Sequence, residues 1–496
     1  MKNSHKIPLL FLLICFSVSA QKSNVFHERS FWKTDPSIAV IEQKITEGND
    51  VSALNINAFD GVIYALLEKV DNKTIKYLLS KKGNDVNKLT HDGRTYIFWA
   101  AYKNNLQIMK YVISKGAKID VIDTHGNTFL NFAASTGQLN LDLYAYSFKV
   151  GADITKEKNH DGANALLLIA SHLKDFKIAE YFLSKGATLN DKDAAGNGFF
   201  EYAAKGGNLQ FLKILIEKGI DKGKNATLFA SQGARNNKNL LETYRFLEKN
   251  GVNPNAIDTK NRNSLHFIAR NSKDLAVFKY FTNKNADVNL QDEEGDSPFI
   301  IAASNNSLEV LTFLSKNVKN INLKNKKGID ALVNAVHRNT VDVIEFLLKE
   351  GANINTKDKE QNTLSYYLIE NFSEKKPEIF ETKLKALEKN GLIVNQLQNS
   401  GNTLLQLAVQ RNNLQLLKRL STFNIDVNIK NNQGLSALQI AAMKAKDDEI
   451  IKYLISIGAD KNVKTTFDES IFDLVSENEL LKSQNSNFLN KILNEN

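Results

Sequence analysis

A twelvefold recurrence of a helix-ending residue constrains this chain more than any other feature. Gly or Asn follows an apolar stretch at Gly83, Gly116, Gly151, Gly186, Gly219, Gly251, Asn285, Asn317, Gly351, Gly391, Asn424 and Gly458, at intervals of 32 to 35 residues with one of 40. Gly, and after it Asn, tolerates the left-handed backbone that ends a helix. Ahead of each mark, apolar residues fall at helical spacing, as in Ile108, Tyr111, Val112 or Val343, Ile344, Leu347, Leu348. After it comes a short extended segment such as Ala352-Asn353-Ile354-Asn355, then a turn signal such as Asp92-Gly93, His125-Gly126 or Lys327-Gly328. A second, shorter helix carries paired small residues: Ala100-Ala101, Ala133-Ala134, Ala203-Ala204, Ala302-Ala303 and Ala441-Ala442. Each unit therefore reads turn, short helix, loop, longer helix, cap. Neither helix can bury its apolar face without a neighbouring unit, so the units must stack.

The small pairs, the Gly-Ala caps and a segment such as Gly295-Asp296-Ser297-Pro298 make the chain resemble the ankyrin-repeat family. The resemblance covers about Asp60 to Val463 and implies an all-α solenoid of about twelve helix–turn–helix units with short β-hairpin-like turns, capped at both ends. The family's Thr-Pro-Leu-His turn is degraded: Thr95, Thr128, Thr363 and Thr403 keep the Thr, Pro298 the Pro and His266 the His. The turn hydrogen bonds that this motif supplies are therefore expected to be incomplete. The unit near Lys224 lacks a clean turn, and the unit ending at Gly391 holds extra residues near Ser373 to Glu381, so each is a candidate kink or projecting loop.

Lys2 and Lys6 precede an apolar run from Ile7 to Val18, followed by small residues up to Ala20. Residues 1–20 read as a secretory signal peptide removed near Ala20, which places the chain in the periplasm or outside the cell, as a bacterial exported protein. Cys15, the only cysteine, lies inside that segment behind Ile14, which does not suit lipoprotein processing. Residues 21–59 read as N-terminal capping helices built on Ile38, Ile41 and Ile45, 60–466 as the repeat array, and 467–496 as C-terminal capping helices carrying Ile471, Phe472, Leu474, Val475 and Leu480.

No phosphate loop, zinc-peptidase helix, CxxC pair or nucleophile elbow occurs, so no catalytic residue, cofactor or metal ligand is assigned. His91, His125 and His160 fall near successive turn tips. Tips that step by about 8–10 Å should not share one ion. The net charge of +9 comes from 64 bases against 55 acids without a long like-charged run, which does not favour a nucleic-acid partner. No stretch reaches membrane-spanning length.

The resemblance implies that partners contact the turn tips and the end of the first helix. Counting within each unit selects Tyr102, Lys103, His172, Lys205, Arg270, His337, Arg338, Arg411 and Lys444. A basic residue per unit would form a ladder that steers an acidic protein partner. The alternative is that these cations merely suit the negative ends of short helices. The turn residues Arg94, Asn127, Arg262, Asp296, Ile329, Asn402 and Leu435 vary between units, as a surface tuned to one target would. The expected function is a non-catalytic, monomeric protein-binding scaffold. The alternative is a protective or assembly partner of a periplasmic enzyme, or an immunity protein against a toxin.

Overall fold

Helices supply the regular structure of residues 24–234 and 238–482, which are the residues described by a computed structural model; no strand occurs among them. The segment read as a signal peptide and the last part of the C-terminal cap lie outside the described residues. Contacts divide the chain into two units, Met1–Ala203 and Ala204–Asn496. The first carries Val25–His27, Arg29–Trp32 and Ile38–Thr46, then helix pairs such as Tyr96–Tyr102 with Leu106–Ser114 and Phe129–Ser135 with Leu141–Lys149. The second runs through pairs such as Pro298–Asn305 with Leu308–Ser315 and Ala331–Arg338 with Val341–Lys349, and its described part ends on Ile471–Glu477 and Glu479–Lys482. No helix among the described residues is long and apolar enough to cross a membrane.

The inner helix of each pair is buried on most sides. Ala100, Ala101, Ala133, Ala134, Ala302, Ala303, Ala441 and Ala442 are fully buried, because only a small side chain fits where consecutive inner helices press together. The outer helix buries one stripe, for example Val343, Ile344 and Leu347. At the helix-ending marks the backbone is left-handed as expected, at Gly351 (φ 93°) and also at Asn285 (φ 63°) and Asn424 (φ 54°), whereas Asn317 does not adopt it. Of the residues expected to pack at the N-terminus, Ile41 is buried with Phe26 and Trp32. Toward the C-terminus Ile471, Leu474 and Val475 are buried, while Phe472 and Leu480 are exposed.

The expectation of incomplete turn bonds is largely overturned. In several repeats where Thr is missing, another short polar side chain takes its place and accepts the N–H three residues on. Asp60 caps Ile63, Asn164 caps Leu167, Ser297 caps Ile300 and Asp330 caps Val333. Thr403 with Gln406 and Ser436 with Gln439 form capping boxes. Thr95 is the exception among the retained threonines: its hydroxyl is buried without a partner.

Two sets of bonds join each repeat to the next. At the turn tips a backbone N–H reaches the preceding tip's carbonyl: in the first unit Thr124 to Asp92 (2.9 Å) and Ala194 to Asp161 (2.8 Å), in the second Lys326 to Glu294 (2.9 Å) and Lys359 to Lys327 (3.0 Å). The tips are tight turns, closed by bonds such as Asp123 N–H to the Asn127 carbonyl, and no paired strands flank them. At the opposite end of the inner helix, a side chain of the next repeat donates to the terminal carbonyls that a helix leaves open. Asn306 Nδ2 reaches Ala269 and Ser272 (2.9 and 2.8 Å), Asn339 Nδ2 reaches Ala303 and Asn306 (both 3.0 Å), and Asn478 Nδ2 reaches Ala442 and Ala445 (3.1 and 3.0 Å).

In the unit ending at Gly391, the extra residues form a short connection and lengthen the outer helix, Pro377–Lys389, to 13 residues. Near Lys224 the inner helix Ala226–Gln232 ends at Gly233 (φ 68°).

The buried amide caps yield a direct test. Asn339→Ala strips both carbonyls of their donor and should lower stability by about 1–3 kcal/mol in urea unfolding. Asn322→Ala, which removes two exposed bonds, one donated to the Gly351 carbonyl and one accepted from the Asn353 N–H, should cost less than Asn339→Ala.

Candidate functional site

The nine side chains selected for partner contact do not form one ladder. They separate by environment and by task. In the first unit, Tyr102 is half-buried and its ring packs against Phe132 and Trp99, with centroids 5.9 and 6.4 Å away. The Lys103 ammonium lies over the Tyr102 ring at 5.5 Å. Burial lowers the Lys103 pKa, and the nearby charge of Lys69 adds to that against the pull of Glu68. Lys69 and Lys103 share a shallow polar cleft of about 590 Å³ with Asn72 and Asn105. His172 is turned into the joint between repeats, where its Nε2 lies 3.2 Å from the Ser135 carbonyl. A Cβ on Gly137 (φ +80°) would lie 2.6 Å from His172 Nδ1, so glycine is required for this approach.

In the second unit Arg270, Arg338 and Lys444 are exposed, and Lys205 and His337 are half-exposed. The charge of Arg270 reaches Asp296, whose carboxyl is nonetheless raised by burial. Arg411 pairs with Glu370 and donates Nη1–H to the Ile369 carbonyl (3.1 Å), so it closes the end of the preceding inner helix as the asparagines do elsewhere. Thus His172 and Arg411 are joint-forming side chains. The helix-end alternative applies to them, with the helix belonging to the preceding repeat.

The turn residues are also reassigned. Arg94 is buried and forms a two-point pair with Asp123, Nε and Nη2 each 2.9 Å from Oδ2, while its guanidinium lies 4.1 Å from the Phe132 ring centroid. Asn127 donates to the same Asp123, Arg262 grips Asp258 at 2.8 Å, and Asp296 accepts from Asn325 at 2.8 Å. Asn402 is buried and accepts from Asn431. Arg94, Asp296 and Asn402 thus tie their turn to the next one, 29 residues on, whereas Asn127 and Arg262 close their own. The tips also converge more than their step implies: His91 and His125 place Nε2 at 3.6 and 3.5 Å from one Asp92 oxygen.

Two features escaped the sequence reading. The first is an aromatic cluster that crosses three repeats of the first unit, with Phe59, His91 and Tyr102 half-buried and Trp99 and Phe132 buried. Phe59 stacks on His91 (4.6 Å) and meets Trp99 (5.5 Å), and Trp99 meets Phe132 edge-on (6.0 Å). The Trp99 indole donates to Thr90 Oγ1 at 2.9 Å. With Tyr102 and the Arg94–Asp123 pair, these rings form a pinned aromatic platform bordered by Lys103. The second feature is Lys383, a charged residue within the apolar stripe of Phe380, Leu384 and Leu387, which was the available signal for it. Lys383 and the predicted residues Arg338 and Arg411 all bear on His337. Burial, then the Arg338 charge, then those of Lys383 and Arg411 hold the His337 pKa down, against Glu370.

The profile described as Ankyrin repeats (3 copies) matches residues 62–156, 228–325, 265–358 and 373–465, more than half of the chain. An ankyrin repeat protein of Acanthamoeba polyphaga mimivirus is 25% identical over 222 residues, 43% of this chain and 28% of that protein. A Danio rerio protein named as a palmitoyltransferase is 25% identical over 218 residues, 44% of this chain and 28% of its own length. The Homo sapiens transient receptor potential cation channel subfamily A member 1 is 23% identical over 204 residues, 33% of this chain and 18% of the channel. The chain thus covers less than a third of each of these three proteins.

His266 and His337 both have pKa values lowered first of all by burial. The folded chain therefore binds fewer protons than the unfolded chain just below the ordinary histidine value of about 6.5. Their contribution is complete above that pH and declines as acid is added. The urea midpoint should fall on acidification through this window, and His337→Gln should flatten the slope.

Proposed function

The chain belongs to the ankyrin-repeat family, and we propose on that basis that it is a non-catalytic binding protein whose repeats present fixed side chains to a partner protein. The observation that carries this reading is the platform of Phe59, His91, Trp99, Tyr102 and Phe132. Aromatic residues held rigid at a surface are the commonest anchors of protein interfaces, since they bring large contact area with little loss of side-chain freedom. Here the rings are pinned from beneath by a buried ion pair and by an indole hydrogen bond, so little ordering is left for binding.

The exposed Arg270, Arg338 and Lys444, with Lys103 beside the platform, give the partner an acidic character. The scaffold acts as a monomer with no nucleic acid, cofactor or metal. Export belongs to the same proposal. Residues 1–20 read as a signal, and their removal near Ala20 would leave a chain without cysteine, suited to a periplasmic or extracellular site.

The full chain immobilised as bait should retain a partner that Tyr102→Ala loses by at least ~10-fold, the usual weight of an aromatic anchor. The urea midpoint of that variant should show a stability change within about 1 kcal/mol. Equal retention by the variant would remove the platform from the interface. N-terminal sequencing of the protein from its native host should begin at Gln21; an intact Met1 would reject export.

A further inference from the structure

In the second unit a cleft of about 400 Å³ lies between the end of the inner helix Ala331–Arg338 and the lengthened outer helix Pro377–Lys389. Its lining is mainly apolar, with Val341 and Ile379 on the walls, and Ile379 is 45% exposed. Lys383 and Arg338 line the same cleft.

Lys383 is 4% exposed, and its Nζ donates to the Val336 carbonyl at 2.8 Å. In other repeats the task of closing an inner helix falls to a neutral amide, that of Asn306, Asn339 or Asn478, or, in the repeat that follows, to Arg411, whose charge is paired with Glu370. The carbonyl alone therefore does not explain a buried charge without an acid. An ammonium has three N–H donors, of which the Val336 carbonyl takes one. Among the described residues neither Lys383 nor Arg338 forms an ion pair, and the one acid that lines the cleft with them, Glu378, is exposed and forms none. Burial alone brings the Lys383 amine down to about 8, with no carboxylate opposing it. A buried cation without an anion is unfavourable unless something supplies one.

We propose that this cleft binds a free aliphatic carboxylic acid, its carboxylate held by Lys383 and Arg338 and its stem lying on Val341 and Ile379. The volume is at the lower end of small-molecule sites, and it exceeds what the short stem of one acidic side chain would fill. This site shares Arg338 with the cations assigned to the partner but uses none of the aromatic platform of the first unit.

Calorimetric titration of the full chain at neutral pH with sodium hexanoate should show saturable binding to one site. Hexanol and hexylamine, which keep the stem and change the head group, should not bind. Lys383→Gln retains a donor for the Val336 carbonyl while removing the charge, and should weaken hexanoate binding at least ~10-fold. Arg338→Gln lies on an exposed side chain, so it keeps the question open to test even where the buried substitution impairs folding. Unsaturable hexanoate, equal binding of hexanol, or wild-type affinity in Arg338→Gln would overturn the site. N-acetylglutamate amide binding as tightly as hexanoate would overturn the free acid in favour of a protein side chain.

Discussion

The joint between repeats is the constraint on which the rest depends. Most of the helices here are seven to nine residues long, as in Tyr96–Tyr102 and Val341–Lys349. Isolated helices shorter than about 12–15 residues are marginal in water, because too few internal bonds repay the cost of nucleation. Half of the backbone groups of so short a helix lack an internal partner. The chain satisfies them from outside. Its own N-caps serve one end, and a donor about one repeat later serves the other, as Asn339 does for Ala303 and Asn306. Inner helices such as Pro298–Asn305 are thus completed by the repeat that follows, outer helices close on their own caps as Val341–Lys349 does through Gly351 and Ala352, and tip-to-tip bonds such as Lys359 to Lys327 lock the register at the turns.

That dependence decides which side chains are left for a partner. The positions just after an inner helix are where partners of such repeats are expected, and they are also where the open carbonyls lie. His172 and Arg411 occupy them and are drawn into the joint, while Arg270, Arg338 and Lys444 stay exposed. Position in the repeat therefore does not separate recognition from architecture. What separates them is whether the preceding helix already has its donor: for the helix Pro298–Asn305, Asn339 supplies it, and Arg338 beside it has no carbonyl partner among the described residues.

The period, the order of the two helices and the small-residue contacts were legible because each is written within one unit, in Ala302-Ala303 or Gly351. The joints were not, since donor and acceptor lie 33 to 37 residues apart for Asn306 and Asn339, and nothing in either unit alone announces the pairing. Lys383 was hidden further, because the inserted residues put it 47 positions from the Val336 carbonyl. The aromatic platform was illegible for a similar reason: Phe59, Trp99 and Phe132 belong to three successive repeats, and each alone reads as core. The degraded turn motif misled because a missing Thr was taken for a missing bond, whereas Asp60 or Ser297 makes the same bond.

Substitution within a fixed geometry then accounts for how one architecture carries different chemistry along its length. Swapping Asn for Lys at a helix-closing position preserves the bond to the carbonyl and adds a buried charge, and it becomes possible because a longer outer helix brings a longer side chain within reach. At Arg94 the turn is still closed by Thr90, while the side chain ties it to the next turn through Asp123 and adds a flat cation against Phe132. In both cases the position is held by architecture while the side chain supplies a property the architecture does not need. Those surplus properties, charge at Lys383 and aromatic support at Arg94, are where selection for binding can act without loosening the stack.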